Sequence, residues 1–447
     1  MILQTFARRR AMSRRGRDRV GVNLGGLPAT YWYLWAGMLV NKVGGFGILF
    51  LSLYLVAVRG LDPATAGVVV GLNGLGGAVG VLAGGVLADH WGRRRTLLAC
   101  HAAASALMFA LALVSWMPAI AAIGCALGAA QAMAGPPMVA AIVDVVPEHD
   151  RTRAFNLQFW AFNLGTAAAS LIAGLLAQAS YTLLFALDGA ATLATFMVFV
   201  LRVPETLPRA LPATPSGRRS VTPGEPTAGP GRRGLRTALT DRVFLPFVGL
   251  TLILAILSTQ TSTILPLAMK QDRLGPSAYG GLMAFAGALI VAGQLFIPRI
   301  IGTRAKGGVL AAANVMLAAG FALVALADAL PLYMIAATIW TLGSMVAAPP
   351  NAAVIAELAP ADLRGRYQSV FYLTFPLAGF IAPALGGIGL QRLGDWHWVM
   401  CGVLGTLAAI GHLLTGPARD RRAHALRSLA PAGAGPAAPS SAPAAGG

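Results

Sequence analysis

Two ionisable side chains stand deep inside long apolar stretches of the sequence, where a charge is costly. Lys42 lies in the stretch 31–55, and Asp188 lies in the stretch 181–201. If both stretches span a membrane as helices, the rise of about 1.5 Å per residue places Lys42 about 16 Å and Asp188 about 10 Å from the nearer membrane face. Ionisable residues at such depths are candidates for ligand binding or proton transfer.

The charge of each residue decides the chemistry that it offers. Lys42 is predicted to face a cavity, where its ammonium group would bind an anionic group or titrate; the alternatives are a structural salt bridge and a snorkelling side chain. Asp188 is predicted to pair with Lys42 or to carry a proton, and the alternative is a buried acid hydrogen-bonded to small neighbours. His101, at the end of another apolar stretch, titrates near neutral pH as a free side chain, but it is expected to lie at the membrane interface.

Further polar side chains and two proline pairs accompany these residues. Gln131 and Ser344 each stand five residues before a Pro-Pro pair. Proline cannot donate the backbone hydrogen bond of a helix interior, so each pair predicts a break that acts as a hinge or as a static bend. The candidate cavity residues of this class are Asn41, Gln131, Asn163, Trp340 and Ser344, and the candidate hinge residues are Pro136, Pro137, Pro349 and Pro350.

Motifs for nucleotide hydrolysis and for common enzyme chemistry are absent from the sequence. A P-loop requires Gly-Lys-Ser/Thr, whereas Lys42, Lys270 and Lys306 are followed by Val, Gln and Gly. Neither H-E-x-x-H nor G-x-S-x-G occurs, and the 3 cysteines are too widely spaced to predict a disulfide framework or a metal site. The sequence therefore predicts no metal, no cofactor and no enzymatic activity, with a polytopic membrane enzyme or a sensor as the alternatives from other classes.

The composition places most of the chain in a membrane. The sequence is 56% hydrophobic and 11% charged, against about 25% charged residues in soluble proteins. A membrane-spanning helix needs about 20 mostly apolar residues. Twelve stretches qualify, which predicts an all-α membrane protein with twelve transmembrane helices. They are 31–55, 67–88, 96–116, 119–143, 154–177, 181–201, 243–267, 279–298, 307–327, 332–356, 367–390 and 398–414.

The pattern divides the chain into five segments. An Arg-rich tail precedes a first bundle of six helices, and a flexible linker rich in Pro, Gly, Thr and Arg joins it to a second bundle of six helices and a disordered tail. Their bounds are 1–27, 28–201, 202–242, 243–415 and 416–447.

Basic residues are strongly biased to one side of the predicted membrane. Of the 34 Lys and Arg residues, 29 fall in the tails, the linker and the loops of one side, 4 fall on the opposite side, and Lys42 lies within a span. This bias predicts a multi-pass protein of the cytoplasmic membrane with both termini in the cytoplasm. The net charge of +18 is then explained by topology, and no nucleic acid is expected as a partner.

One stretch of the first bundle recurs in the second. Residues 136–153 read PPMVAAIVDVVPEHDRTR and residues 349–366 read PPNAAVIAELAPADLRGR, with 7 of 18 positions identical. Because six predicted spans separate the two stretches, both bundles share one orientation, which indicates a pseudo-two-fold axis along the membrane normal. Within the repeat, Asp144 and Glu357 are expected to hold the adjoining loops through the arginines that follow them.

The loop between the second and third spans reads GGVLADHWGRRR and carries a recognisable pattern. Its Gly85, Leu87, Asp89, Gly92, Arg93 and Arg94 resemble the signature of the major facilitator superfamily. The resemblance covers nearly the whole chain and implies the major facilitator fold, two pseudo-symmetric six-helix bundles that rock about a central site. It also implies a gate, in which Asp89 contacts the start of the eleventh span near Arg366 and Tyr367 and holds the cytoplasmic side closed. Arg94 either belongs to this gate or anchors the topology.

The chain looks most like the drug–proton antiporters of that superfamily but departs from them at two places. Its fourth span lacks the arginine that such antiporters often carry, and its fifth span has Ala169 and Ser170 in place of Gly-Pro. The resemblance as a whole implies proton-coupled efflux of drug-like or natural-product compounds. Proton-coupled uptake of a small organic anion, which Lys42 would suit, is the alternative. The expected partners are the lipid bilayer, a small-molecule substrate and protons, with a monomer as the working unit.

Overall fold

Helices are the regular elements of the described part of the chain. The computed structural model describes residues 26–207, 232–294, 296–302, 304–360 and 363–428. Residues 1–25 of the predicted Arg-rich tail, the centre of the linker and the end of the predicted disordered tail lie outside these residues. Within them, twelve helices are long and apolar enough to cross a membrane, which confirms the twelve predicted spans.

Backbone polar groups in lipid must be satisfied within the protein, and helices achieve this within each span. The first bundle comprises α1 (Ala29–Val43 and Gly47–Ala57), α2 (Pro63–Trp91), α3 (Arg93–Leu113), α4 (Met117–Met133 and Gly135–Val145), α5 (Arg151–Ala179) and α6 (Tyr181–Arg202). The second comprises α7 (Phe244–Thr263 and Leu265–Gln271), α8 (Pro276–Gly293), α9 (Lys306–Val324), α10 (Leu330–Leu358), α11 (Arg364–Tyr372 and Thr374–Leu393) and α12 (Trp396–Ser428). We call the end at which α1 begins and α12 ends the terminal face, and the opposite end the distal face.

The packing of the helices repeats between the two bundles. In the first bundle α3 packs on α6 and α1 on α5, and in the second α9 packs on α12 and α7 on α11. Between the bundles, α2 packs on α11 and α5 packs on α8. If each helix is replaced by the helix six positions earlier or later in the chain, each of these pairs becomes another observed pair. A two-fold axis between the bundles requires this. The predicted fold of two pseudo-symmetric six-helix bundles is therefore observed.

The two bundles are in close contact at the distal face and separated at the terminal face. A Cβ on Gly67 in α2 would clash with the carbonyl oxygen of Pro383 in α11, and a Cβ on Gly174 in α5 would lie 3.0 Å from the Cα of Gly280 in α8. Small residues permit such close helix crossings in membranes. Towards the terminal face, α2 and α11 diverge and line a cleft. The two bundles are therefore open towards the terminal face.

Two ordered segments extend beyond the predicted helix limits. The last span continues to Ser428, past the predicted end at 414 and into the predicted disordered tail. Arg422 in this extension forms an ion pair of 2.9 Å with Asp241, next to the start of α7, and this contact fixes the extension to the second bundle. Part of the predicted flexible linker is also helical: Arg232–Leu239 forms a short helix that packs against the first segment of α11.

The two proline pairs have different effects on their helices. The fourth span divides into two segments just before Pro136 and Pro137, as predicted. The tenth span runs unbroken through Pro349 and Pro350, so the break predicted there is not observed. A glycine precedes the pair in α4 and two alanines precede the pair in α10. Alanine supports a helix that glycine weakens, which accounts for the difference.

Candidate functional site

A cavity of about 310 Å³ lies midway along the spans, between α1, α3, α4, α5, α6 and α7. It collects side chains that the sequence places in six different helices, many of them polar. Four of the predicted cavity residues line it, namely Asn41, Lys42, Gln131 and Asp188. His101 lines it too and is buried, so its predicted position at the membrane interface is wrong.

Asp188 connects α6 to the break between the two segments of α1. Its Oδ2 accepts a hydrogen bond of 2.8 Å from the backbone N–H of Gly47, and its Oδ1 accepts one of 3.5 Å from the Thr192 hydroxyl. Gly47 is the first residue of the second segment of α1, and the start of a helix attracts negative charge. Asp188 therefore has the hydrogen bonds of a buried structural acid while it lines the same cavity as Lys42.

Lys42 holds its ammonium group over an aromatic ring. The Nζ atom lies 4.5 Å from the ring centroid of Phe162, a favourable cation–π contact. In the described ranges of the chain this ammonium group makes no hydrogen bond or ion pair, so the expected pairing with Asp188 is not a direct contact. Gly165 in α5 makes room for the stem, since a Cβ there would lie 2.6 Å from the Cβ of Lys42.

The remaining polar side chains of the cavity differ in whether they make hydrogen bonds within the protein. Asn41 donates a hydrogen bond of 3.2 Å to the Thr192 hydroxyl. The Nδ1 atom of His101 lies 2.8 Å from the carbonyl oxygen of Leu97, one turn earlier in α3. Gln131 is exposed, and its amide has no hydrogen-bond partner among the residues that the structure describes. The amide of Gln131 and the ammonium group of Lys42 are thus available to a ligand.

The cleft between α2 and α11, which α4 also lines, has a volume of about 1370 Å³ and opens at the terminal face. Most of its wall is apolar, with Leu82, Val139 and Phe375 among the lining side chains. Gln131 and Phe162 line both this cleft and the Lys42 cavity. The two spaces therefore adjoin each other at these two residues.

The predicted gate residues lie at the mouth of the cleft. The Arg93 guanidinium group is 3.1 Å from the Asp144 carboxylate and 3.6 Å from the Asp89 carboxylate. The Asp89 side chain is 75% exposed and faces the cleft across from Gln368, at the start of α11. The closing contact predicted for Asp89 is therefore open in this conformation. Gly85 has open space around it here, with nothing within 4 Å of a Cβ built on it.

A glutamate that follows α6 was not among the predicted site residues. Glu205 accepts hydrogen bonds from the backbone N–H groups of Arg93, at 2.9 Å, and Arg94, at 3.4 Å, and so caps the start of α3. Gly92 precedes this cap with φ +99° and leaves no room for a Cβ against Glu205. The Arg94 side chain donates to carbonyl oxygens at the end of α6, so it joins α3 to α6 and does not reach the cleft.

The two acids of the internal repeat pair with residues other than those expected. Asp144 pairs with Arg93, and Glu357 pairs with Lys306 at 2.8 Å. Arg151, one of the arginines expected to hold Asp144, donates instead to a backbone carbonyl oxygen at 3.2 Å. Each acid therefore joins two helices of its bundle.

Comparison with known proteins decides the family of this fold and site. The profile of the Major Facilitator Superfamily matches residues 34–371 and, in a second match, residues 305–442. The chain belongs to the major facilitator superfamily.

Relatives within the superfamily are distant. The chain is 26% identical over 318 residues to the uncharacterized MFS-type transporter YhjO of Bacillus subtilis, which covers 70% of this chain and 74% of the relative. It is 26% identical to the multidrug resistance protein MdtH of Sodalis glossinidius, with 85% and 92% covered, and 24% identical to a Na(+), Li(+), K(+)/H(+) antiporter of Planococcus maritimus, with 83% and 92% covered. The crystal structure of a POT family transporter in complex with 5-aminolevulinic acid matches with a TM-score of 0.73 at 14% identity, covering 88% of this chain and 97% of that one. That likeness concerns the fold alone.

Three predicted cavity residues of this superfamily member lie apart from the Lys42 cavity. Asn163 donates to the carbonyl oxygen of Phe159 in its own helix, at 2.9 Å. Trp340 and Ser344 line a separate cavity of about 130 Å³ within the second bundle, where Trp340 stacks on Phe321. The four predicted residues that share the Lys42 cavity therefore all belong to the first bundle, and Ser262 and Thr263 of α7 in the second bundle complete its lining.

Proposed function

We propose that this member of the superfamily is a proton-driven secondary transporter that moves a small molecule across the cytoplasmic membrane by alternating access, as a monomer. The single observation that supports this best is the cavity around Lys42 and Asp188, which adjoins a cleft that is open on one face while the bundles are in contact at the other. Alternating access requires such one-sided entry to a site between two bundles. In the proposed orientation the terminal face is cytoplasmic, in keeping with the 29 basic residues on that side.

Export of drug-like or natural-product compounds in exchange for protons is the first candidate direction. The largely apolar cleft suits the body of such a compound, because apolar walls release water when an apolar molecule covers them. The relative named multidrug resistance protein supports a drug-like cargo, and the relative named a Na(+), Li(+), K(+)/H(+) antiporter supports exchange with protons. In this direction the compound enters the cleft from the cytoplasm and leaves when the distal face opens.

Uptake of a small organic anion together with a proton is the second candidate direction. The observation that favours it is the ammonium group of Lys42, which lines the cavity without an ion-pair partner in the described part of the chain. A cation in a low-dielectric cavity attracts anions more strongly than it would in water.

In either direction the cavity has two tasks, which we assign to different residues. Lys42 and Asp188 couple cargo to protons, with Asn41 and Gln131 as hydrogen-bonding partners of the cargo. Asp89 and Arg93 close the cytoplasmic side when the bundles rock. We assign no step to a metal or an organic cofactor, since the proton gradient supplies the energy.

Transport by the purified full chain in proteoliposomes tests the proposal. Cationic, neutral and anionic fluorescent compounds are each offered under pH gradients of both signs, and a protonophore that collapses the gradient is the control. Cargo that moves against the proton flow supports export, and cargo that moves with it supports uptake. If every compound distributes as it does in protein-free vesicles, although the protein is folded and inserted, the proposal is wrong.

A further inference from the structure

The surroundings of Lys42 differ from those of an ordinary buried lysine. Its ammonium group faces a cavity and contacts the ring of Phe162, while the nearest carboxylate, that of Asp188, is already hydrogen-bonded to Gly47 and Thr192. A lysine in a stable structural role would be expected to form a direct ion pair with that acid. The positive charge is therefore available to a ligand that enters the cavity.

We propose that Lys42 binds the acidic head group of an amphipathic organic anion, and that uptake of a proton by the cavity strengthens this binding. The inference rests on the proposed function, because it concerns the same cavity and the same cargo. It goes further in naming the residue that binds the head group, the amphipathic character of the cargo and the binding linkage that decides between the two candidate directions.

The arrangement of the two adjoining spaces fits an amphipathic molecule. A head group at Lys42 can also accept a hydrogen bond from the amide of Gln131, which lines the same cavity. On the other side of Phe162 lies the apolar cleft, which Leu82 and Phe375 help to line. An apolar body would lie in that cleft while its head group remains in the polar cavity.

The sign of the coupling follows from the charges around the cavity. In the described part of the chain its titratable lining groups are Lys42, Asp188, His101 and Cys100. A proton on Asp188 removes a negative charge near Lys42, and a proton on His101 adds a positive one. Either event makes the cavity more positive, so either one raises its affinity for an anion and lowers its affinity for a cation.

The linkage between anion binding and proton binding determines whether the two ligands move in the same direction. If a proton raises the affinity for the anion, then the anion raises the affinity for the proton by the same factor. The two ligands therefore occupy the cavity together and cross together, whereas a cationic cargo would displace the proton. For an anionic cargo, the site thus favours the second candidate direction over the first.

The test is equilibrium binding of a matched pair of probes to the full chain in lipid nanodiscs. Pyrenesulfonate and a pyrenylmethyl trimethylammonium salt share an apolar body and carry permanent charges, so pH changes only the protein. Between about pH 7.5 and about pH 5.5, the sulfonate should bind more tightly as pH falls, by up to about tenfold per pH unit for one linked proton. The ammonium probe should show the opposite trend.

Three variants assign the effect to residues. Lys42→Met should weaken sulfonate binding by about tenfold or more, and Lys42→Arg should restore it. Asp188→Asn should keep tight sulfonate binding and flatten its pH dependence if Asp188 takes the proton. A dependence that persists assigns the proton to another titratable group of the cavity lining and leaves the sign unchanged. Lys270→Met, which removes an exposed lysine next to the distal face, is the matched control and should bind as the parent does.

Specific outcomes overturn the inference. They are sulfonate binding that weakens or stays constant as pH falls, or binding that survives Lys42→Met unchanged in a variant with the parent melting temperature. Transport in proteoliposomes by a protein with that behaviour would leave the proposed function standing. Conversely, a protein that binds the sulfonate as expected but moves no cargo under any gradient would refute the transport proposal and retain the anion site.

Discussion

Lys306 and Glu357 form an ion pair in which the ammonium group lies 2.8 Å from both carboxylate oxygens. This pair repeats, 213 positions further along the chain, the pair between Arg93 and Asp144 in the first bundle. Each pair joins the start of the third helix of its bundle to the end of the fourth. Both partners changed in identity while their charges stayed the same, so the duplicated feature is the electrostatic link between these two helices.

The two pairs should differ in their contributions to stability. The partners in the second bundle are 33% and 30% exposed, so Glu357→Gln should lower the free energy of unfolding by at most about 1 kcal/mol. Arg93 and Asp144 are 13% and 19% exposed, and Asp144→Asn should cost about 2 kcal/mol, since it removes a charged hydrogen-bond partner from a mostly buried guanidinium group. Thermal melting of both variants in one detergent measures this. A larger loss for Glu357→Gln would contradict the assignment.

Gly165→Ala should disturb the position of Lys42. The added methyl group would lie 2.6 Å from the Cβ of Lys42, and overpacking of this kind costs about 1–3 kcal/mol. Because α1 must shift away from α5, binding of the anionic probe should weaken together with stability. Gly281→Ala is the matched control, because a Cβ there meets nothing within 4 Å, and it should be neutral or stabilising by up to about 1 kcal/mol. Equal effects of both substitutions would argue against a tight contact at Lys42.

Much of the fold could be predicted from the sequence because a lipid bilayer permits few kinds of backbone structure to cross it. Apolar stretches of membrane length must be helices, and the repeated stretch alone indicates two bundles related by a two-fold axis. Lys42 and Asp188 were identified by the same logic, since charges inside apolar helices are rare. The structure places Asn41 and Gln131 in the same cavity as these two residues.

The features that could not be predicted depend on contacts between distant parts of the chain. Phe162 reads as an ordinary packing residue, and only the approach of α5 to α1 places its ring under Lys42. Glu205 caps a helix that begins 112 positions earlier. Trp340 and Ser344 lie in α10, the helix of the second bundle that is equivalent to α4, but they line a separate small cavity within that bundle. Hydropathy and spacing carry no signal for such contacts.

Asp89→Asn should slow the transport cycle far more than it changes stability. The carboxylate is 75% exposed in this conformation, so its loss should change the free energy of unfolding by less than about 1 kcal/mol. On closure the carboxylate would meet the start of α11, whose partial positive charge favours it by about 1–2 kcal/mol. The transport rate is therefore expected to fall by about tenfold.

Spin labels on cysteines at Val86 and Tyr372, which line opposite sides of the cleft, report whether it is open. In the parent, a substrate and a pH gradient should produce a population with a shorter distance between the labels. In Asp89→Asn that population should shrink while the melting temperature stays near that of the parent. An unchanged distance distribution and an unchanged transport rate would show that Asp89 is not part of the gate.

Asp241, outside the membrane-spanning segments, should make stability depend on pH in acid. Burial alone would raise the pKa of its carboxyl group. The pKa is lowered by hydrogen bonds from the Tyr367 hydroxyl, at 2.7 Å, and from the backbone N–H groups of Phe244 and Val243, and by the charge of Arg422. Together these contacts hold the pKa below its ordinary value. A group whose pKa is lower in the folded state stabilises the protein fully above its unfolded pKa, about 3.9 for Asp. That contribution is lost as pH falls through the folded pKa.

Asp241→Asn should therefore melt at a lower temperature than the parent at about pH 7, and the difference should shrink progressively below about pH 4. The reason is that the variant lacks a carboxylate to which Tyr367 and Arg422 are bound at neutral pH. Melting of both proteins across a pH series in one detergent measures the difference. Asp420→Asn removes an exposed acid from the same end of α12 and should follow the parent at every pH. A gap between parent and Asp241→Asn that stays constant into strong acid would mean that the loss comes from packing and not from the charge.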